Sequence, residues 1–246
     1  DNTSSNDVTV NYMRRKIKDS DCIILGATHI LNLIVMDGLR DIYEFVTRIR
    51  DAVRYVKSSP SRFAKFKACA IKENISEMMI CLDVPTRWNS TYLMLSTAEK
   101  HKQAFEHYYM CLDSEFVNPT GDDWKKAHIF VELLKVFYDV TLNISGSLYV
   151  TANVYFQELC TIEDTLNDMC NSHDIITSTI GINMKSKYEK YWGSTDRFNL
   201  MIYVAFVLDP GYKMIAMKLW LNQCKGDELA DRIEAKVKLL LSRLIE

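Results

Sequence analysis

The chain has 246 residues, 48% of them hydrophobic and 25% charged, with a net charge of -2. That is an ordinary globular composition, large enough to bury a sizeable core as one large domain or two small ones. It excludes a bilayer-spanning segment, since no apolar run reaches ~20 residues, and a near-neutral balance leaves any nucleic-acid surface to local clusters of cations. Seven scattered cysteines without a CxxC pair argue against a zinc ribbon or disulfide framework and for reduced, buried thiols in an intracellular protein. Eight glycines and four prolines among many helix formers predict a mainly α fold. The polar start, with no initiator Met, is expected of a piece of a longer protein.

The first seven residues are a cluster of capping types ahead of a helix carrying Val8, Val10, Met13 and Ile17 about a turn apart. The apolar run at 22–25 reads as a short buried strand. His29, in the stretch that follows, fits a structural histidine better than a metal ligand, because no cysteine lies at zinc-site spacing. From 40 to 74 the spacing predicts long amphipathic helices, with Ile42, Phe45, Val46, Ile49, Val53 and Val56 as one buried stripe. The run Ser58-Ser59-Pro60-Ser61 breaks the first helix, and Phe63, Phe66 and Ile71 begin the next. Polar positions here lean basic, including Arg54, Lys57, Arg62, Lys65 and Lys67. They read either as a solvated face or as a contact to a phosphate backbone, which needs clustered Lys and Arg rather than net charge.

At 83–95 the chain runs Asp-Val-Pro-Thr-Arg-Trp-Asn-Ser-Thr-Tyr-Leu-Met-Leu. Pro85 pushes Val84 toward extended geometry, so the stretch reads as an extended approach, a turn and a helix start. Asn89, Ser90 or Thr91 are candidate caps. Arg87 and Trp88 set a cation beside the largest flat ring; the pair suits a phosphate contact next to a stacked base, or else a core tryptophan with its arginine on a carbonyl or an acid. A loop follows at 113–123, with Asp122 or Asp123 as the cap of a helix that buries Trp124, Phe130, Leu134 and Phe137. Glu158, Glu163, Asp164 and Asp168 read as a solvated acidic face. Asp209-Pro210 reads as a helix stop and restart, with Pro210 in the first turn of the new helix. The chain closes on an amphipathic helix at 228–246 striped by Ile233, Val237 and Leu240. No glycine-rich phosphate loop, Ser-His-Asp arrangement or zinc-ligand spacing occurs.

The block at 83–95 resembles the DxxTRWNSTYxML signature of the plant Activator-like hAT transposases and their domesticated sleeper-type BED-zinc-finger relatives. Five further motifs of that family follow the expected order. Residues 26–39 match CxxHxLNLxVxDGL with Gly26 in place of Cys, and residues 141–153 match TxxxSGSxYPTAN with Val150 in place of Pro. Residues 184–192 match MxxKxxKYW, and residues 204–214 match AxVLDPRYKM with Gly211 in place of Arg. Asp1 falls on the first residue of a DNAxxN-type motif, with Thr3 in place of Ala.

The resemblance implies a helical insertion domain of a hAT transposase over 26–246, preceded at 1–25 by a short remnant of the RNase H-like α/β core. It implies DNA as the partner and the nucleus as the location. Arg87 and Trp88 would touch DNA near a transposon end, Trp88 by stacking on an extruded base. Asp1 would be the second acid of a DDE set, whose three acids together hold two Mg2+ or Mn2+ ions. One carboxylate cannot do this, and the family's glutamate motif has no match before Glu246, so the chain is expected to be catalytically silent and without a cofactor of its own. Neither a membrane nor a small-molecule substrate is implied, and homodimerisation would rest on a C-terminal region beyond this stretch. The alternatives are a domesticated helical scaffold for protein partners and a fragment of an active DDE transposase.

Overall fold

A computed structural model describes residues 27–39, 43–75, 80–111, 116–145, 152–193 and 200–245. Every regular element among them is helical, as the composition predicts. The boundary expected between residues 25 and 26, the expected strand at 22–25 and the capping cluster at the start lie outside the described residues. The chain separates into two units: Gly38–Tyr138, and a second that combines residues up to Asp37 with those from Asp139 onward.

In the Gly38–Tyr138 unit, α2 (Tyr43–Lys57) follows the end of α1 (Ala27–Leu39). The expected stripe is realised, with Phe45, Val46, Ile49, Val53 and Val56 all buried. The Ser-Pro break works as read. Ser59 accepts the amide of Arg62 at 3.2 Å, and Pro60 opens α3 (Pro60–Lys72), where its missing N–H costs nothing. Next come α4 (Trp88–Lys100) and α5 (Lys102–Cys111), joined at His101, which is buried with its Nδ1 2.8 Å from the Thr97 carbonyl. The long α6 (Gly121–Ile144) begins in this unit. Its lead-in brings Phe116 against Tyr108 edge-on at 5.4 Å, and its first turns bring Trp124 to 5.7 Å from Phe105.

The cap of α6 differs from the expected one. Thr120 is the capping residue, its Oγ1 accepting the Asp123 amide at 3.2 Å, while the Asp123 carboxylate accepts the Thr120 amide at 2.9 Å. This reciprocal capping box places the acid three residues inside the helix, where it offsets the exposed amides.

In the other unit, α7 (Ala152–Cys170) and α8 (Ile175–Tyr188) lie in close contact, followed by a wide π-type turn at Glu189–Gly193. The contact is tight enough to require glycine. A Cβ on Gly181 would stand 2.6 Å from the Met169 Cβ and 2.9 Å from the backbone of Met169 and Cys170. Asp174 caps α8 by accepting the amide and hydroxyl of Thr177, and those bonds hold its carboxyl below the usual range. Helix α9 (Leu200–Leu208) is apolar on nearly every side and packs against α7, α10 (Lys213–Lys225) and α11 (Asp227–Ile245), as such a sequence requires. Phe156, Tyr203, Phe206, Met217 and Ile233 form the centre of that core.

Two expectations fail in this unit. Pro210 sits in the turn between α9 and α10, because the Asp209 carboxylate bonds the Gly211 amide at 2.7 Å and closes a local turn in place of a helix start. Glu163 is not part of a solvated acidic face. Its side chain is 12% exposed, pairs with Lys225 and lies 3.3 Å from the Tyr188 hydroxyl. Burial is the main reason that the Tyr188 hydroxyl is pushed far above its ordinary range.

Candidate nucleic-acid interface

The approach to α4 is strapped onto α2 by polar side chains, of which the sequence reading had left Arg50 without a role. Arg50 lies under it, its Nε 3.0 and 2.9 Å from the two Asp83 oxygens and its Nη2 2.8 Å from Oδ2. Both side chains are almost fully buried, at 5% and 1% exposure. The Thr91 hydroxyl donates to the same carboxylate at 3.0 Å. Two turns along α2, Lys57 Nζ donates to the Ile80 carbonyl at 2.8 Å. Together these bonds fix residues 80–83 and the first turn of α4 on the same support.

The turn itself has the predicted shape. The Arg87 amide bonds the Val84 carbonyl at 2.8 Å, closing a turn at Pro85-Thr86, and Arg87 is extended. None of the three candidate caps caps the helix. Arg87 occupies the cap position without a side-chain bond to it. Ser90 instead reaches back to the turn, accepting the Val84 amide at 2.8 Å and donating to the Arg87 carbonyl at 2.7 Å, while Thr91 is spent on Asp83.

Arg87 and Trp88 therefore separate. Arg87 is exposed and makes no ion pair among the described residues. Trp88 is 2% exposed, on the face of α4 that also buries Tyr92 and Leu95. Its ring is a packing anchor in this conformation, and the expected stacking on an extruded base finds no open face. The reason is helical periodicity: a residue that opens the same face as positions 92 and 95 is carried into the core.

The basic residues do converge, at the corner where α2 ends and α3 begins. The Arg62 guanidinium lies 4.1 Å over the Tyr55 ring and bonds the Ser58 hydroxyl at 2.9 Å. Lys57 and Lys67 bring their ammonium groups to 5.0 and 4.9 Å from the Phe63 ring centre. Those distances hold the two ammonium groups within about 10 Å of each other. Lys65 and Lys67 are exposed, and Lys57 and Arg62 half-buried. None of these four has a carboxylate partner among the described residues. Arg54 is exposed, with only a loose 3.8 Å approach to Asp51, which contributes little in water.

Between Asp51 and Glu73 the chain carries six cations and no acid. The corner is therefore a region of uncompensated positive charge whose heads are held in place by rings, a combination suited to phosphate groups. Neutralised arginine lies close by for contrast. Arg48, on the same helix as Arg54, is tied to Asp123 at 2.6 Å. Burial works against the Asp123 carboxylate, but the hydrogen bonds from Arg48 and Thr120 outweigh it and hold it below its ordinary range.

Tyr55 was not singled out by the sequence, and Phe63 only as an apolar position at the start of α3. The Phe63–Lys67 spacing of four was visible in it; the Tyr55–Arg62 and Lys57–Phe63 contacts cross the helix break and were not. Asp1 lies outside the described residues. No group of three His, Cys, Asp or Glu side chains comes together among the described residues, so the divalent metals of a DDE site find no ligand set there. No described helix is long and apolar enough to cross a membrane.

Comparison with known proteins divides the chain in two. Residues 24–133 match the ZBED1 RNase-like helical domain, and residues 153–246 match the hAT-like transposase, RNase-H fold. The chain is 32% identical to the putative AC transposase of Zea mays over 252 residues, covering 98% of this chain and 31% of that protein. It is 31% identical to the zinc finger BED domain-containing protein RICESLEEPER 2 of Oryza sativa subsp. japonica, covering 93% of this chain and 31% of that protein. To the Arabidopsis thaliana protein DAYSLEEPER it is 26% identical, over 65% of this chain and 22% of that protein. The chain thus spans about a third of the length of the first of these relatives. No solved structure matches it at a significant level.

Proposed function

Because this chain belongs to the hAT transposase-like family, we propose that it is a transposase-derived DNA-binding segment whose contact surface is the α2–α3 corner. The observation that supports this reading is the run of six cations without an acid, five of them without a carboxylate partner among the described residues, on an exposed corner. Arg87, exposed and unpaired, is a second contact in the same unit. The segment acts in the nucleus, where its DNA is. The role proposed for this stretch is binding; Asp1 is its candidate second acid of a DDE set, and Mg2+ or Mn2+ would belong to the complete set. The division into a core remnant at 1–25 and a helical domain from 26 onward is part of the same reading, while the family model over residues 153–246 is one of RNase-H fold.

The scaffold alternative draws on one observation, the buried Trp88, which removes the stacking platform. The test is binding of a labelled duplex by the chain and by the triple variant Arg62→Gln, Lys65→Gln, Lys67→Gln, at two salt concentrations. The expected result is salt-dependent binding, weakened by roughly tenfold or more in the variant. A folded wild-type chain with no salt-dependent binding would rule the DNA reading out and leave the scaffold.

A further inference from the structure

We propose that the α2–α3 corner grips the phosphodiester backbone without reading or stacking bases, its two aromatic rings serving as props for cations. The inference rests on the DNA-binding reading above and specifies what that surface recognises.

Nucleic-acid surfaces use aromatic rings in two ways that leave different geometry. A stacking platform offers an open face to a base. A prop has its face covered by a cation, which it holds in place through the ring quadrupole. The corner is of the second kind. Tyr55 carries the Arg62 guanidinium at 4.1 Å and is packed on Phe116 at 5.5 Å. Phe63 carries two ammonium groups at about 5 Å. The one tryptophan in the neighbouring family motif, Trp88, is buried.

The residue types point the same way. Base edges are read by Asn or Gln at adenine, by Asp or Glu at cytosine, and by Arg or Lys at guanine. From residue 52 to residue 72 the chain has no Asn, Gln, Asp, Glu or His. What remains are three serines, four lysines and two arginines, and the Arg62 guanidinium is already turned to Tyr55 and to the Ser58 hydroxyl. Placed on phosphates, such cations position a protein on the backbone and carry no sequence information. Holding the cations on rings lowers the side-chain entropy lost when a phosphate arrives, so the grip is pre-formed.

The experiment is fluorescence anisotropy of the chain with three labelled probes, an A·T-only duplex, a G·C-only duplex and a single-stranded oligo-dT, across a range of NaCl. The expected result is affinities for the two duplexes within about threefold of each other, well under the cost of one misread base pair. The slope of log K against log salt should lie at roughly -3 to -4 on the duplexes, about 0.9 for each of the four cations engaged. Lys65→Gln and Lys67→Gln, both at exposed positions, should each make the slope shallower by about one. Phe63→Leu should leave the ranking of the three probes unchanged. A preference of more than about tenfold for one duplex would overturn the proposal, because backbone contacts cannot supply it. So would a preference for oligo-dT that Phe63→Leu abolishes, the signature of a stacking ring. Absence of binding to all three by a folded chain is a different failure, that of the DNA reading itself.

Discussion

Arg50→Met tests whether the family block at 83–95 is held by a buried ion pair. The substitution keeps most of the apolar stem and removes the guanidinium, leaving the Asp83 carboxylate 1% exposed with only the Thr91 hydroxyl bonded to it. Removing one partner of a buried pair costs about 3–5 kcal/mol, because the remaining charge is neither hydrated nor compensated. Asp83→Leu should also be costly, because it takes the buried counter-charge from the Arg50 guanidinium. The double variant should recover most of the loss, since replacing both partners with apolar groups is close to neutral. The coupling between the two sites is therefore expected at about 4 kcal/mol or more. Urea denaturation followed by circular dichroism measures it. At a slope of about 2 kcal/mol/M each single variant lowers the midpoint by roughly 2 M, while the double variant stays within about 1 M of the wild type. Single variants that lose under about 1 kcal/mol, or losses that simply add in the double variant, would refute the argument.

Two further outcomes follow from the packing and charge of the other unit. Gly181→Ala forces a Cβ to within 2.9 Å of the α7 backbone, which has no flexible end to yield, so a loss of about 1–3 kcal/mol is expected in thermal or urea unfolding. An unchanged midpoint would mean that the α7–α8 approach is looser than described. At the α10–α11 contact, hydrogen bonds from Lys218 and then Lys238 depress the Glu234 carboxyl to about 2, from an ordinary 4.5. A folded-state value below the unfolded one means that the contribution is present above about 4.5 and disappears as pH falls toward about 2. Carboxyl titration by NMR should show the depressed midpoint, and Glu234→Gln should flatten that part of the stability profile.

Periodicity made much of the fold legible. The α2 stripe, the Ser59-Pro60 break and the turn at Pro85-Thr86 follow from local rules, and each appears where the sequence puts it. Capping was less legible, because several short polar side chains stand at each helix start, and whether Thr120 rather than Asp122 or Asp123 caps α6, or Ser90 turns back to Val84, depends on backbone geometry a turn away. The site was legible as charge but not as arrangement. Arg62, Lys57 and Lys67 stood out as cations, whereas the rings under Arg62 and Lys57 are chosen by the angle at which α3 leaves α2. Trp88 shows the opposite limit. Its neighbour Arg87 suggested chemistry, and the helical register shared with Tyr92 and Leu95 decided for burial. Glu163 was misread for the same reason, since its partner Lys225 is 62 residues away.

Most of the recognisable block at 83–95 is committed to holding the chain together. Asp83 holds Arg50, Ser90 closes the turn, Thr91 braces Asp83, and Trp88 fills the core; of the two charged residues in the block, Arg87 alone faces outward, without an ion pair among the described residues. Selection against unfolding would by itself keep such a block intact in a descendant that no longer moves DNA. Its presence is accordingly a record of ancestry, and activity has to be sought in the residues that the scaffold leaves free to change.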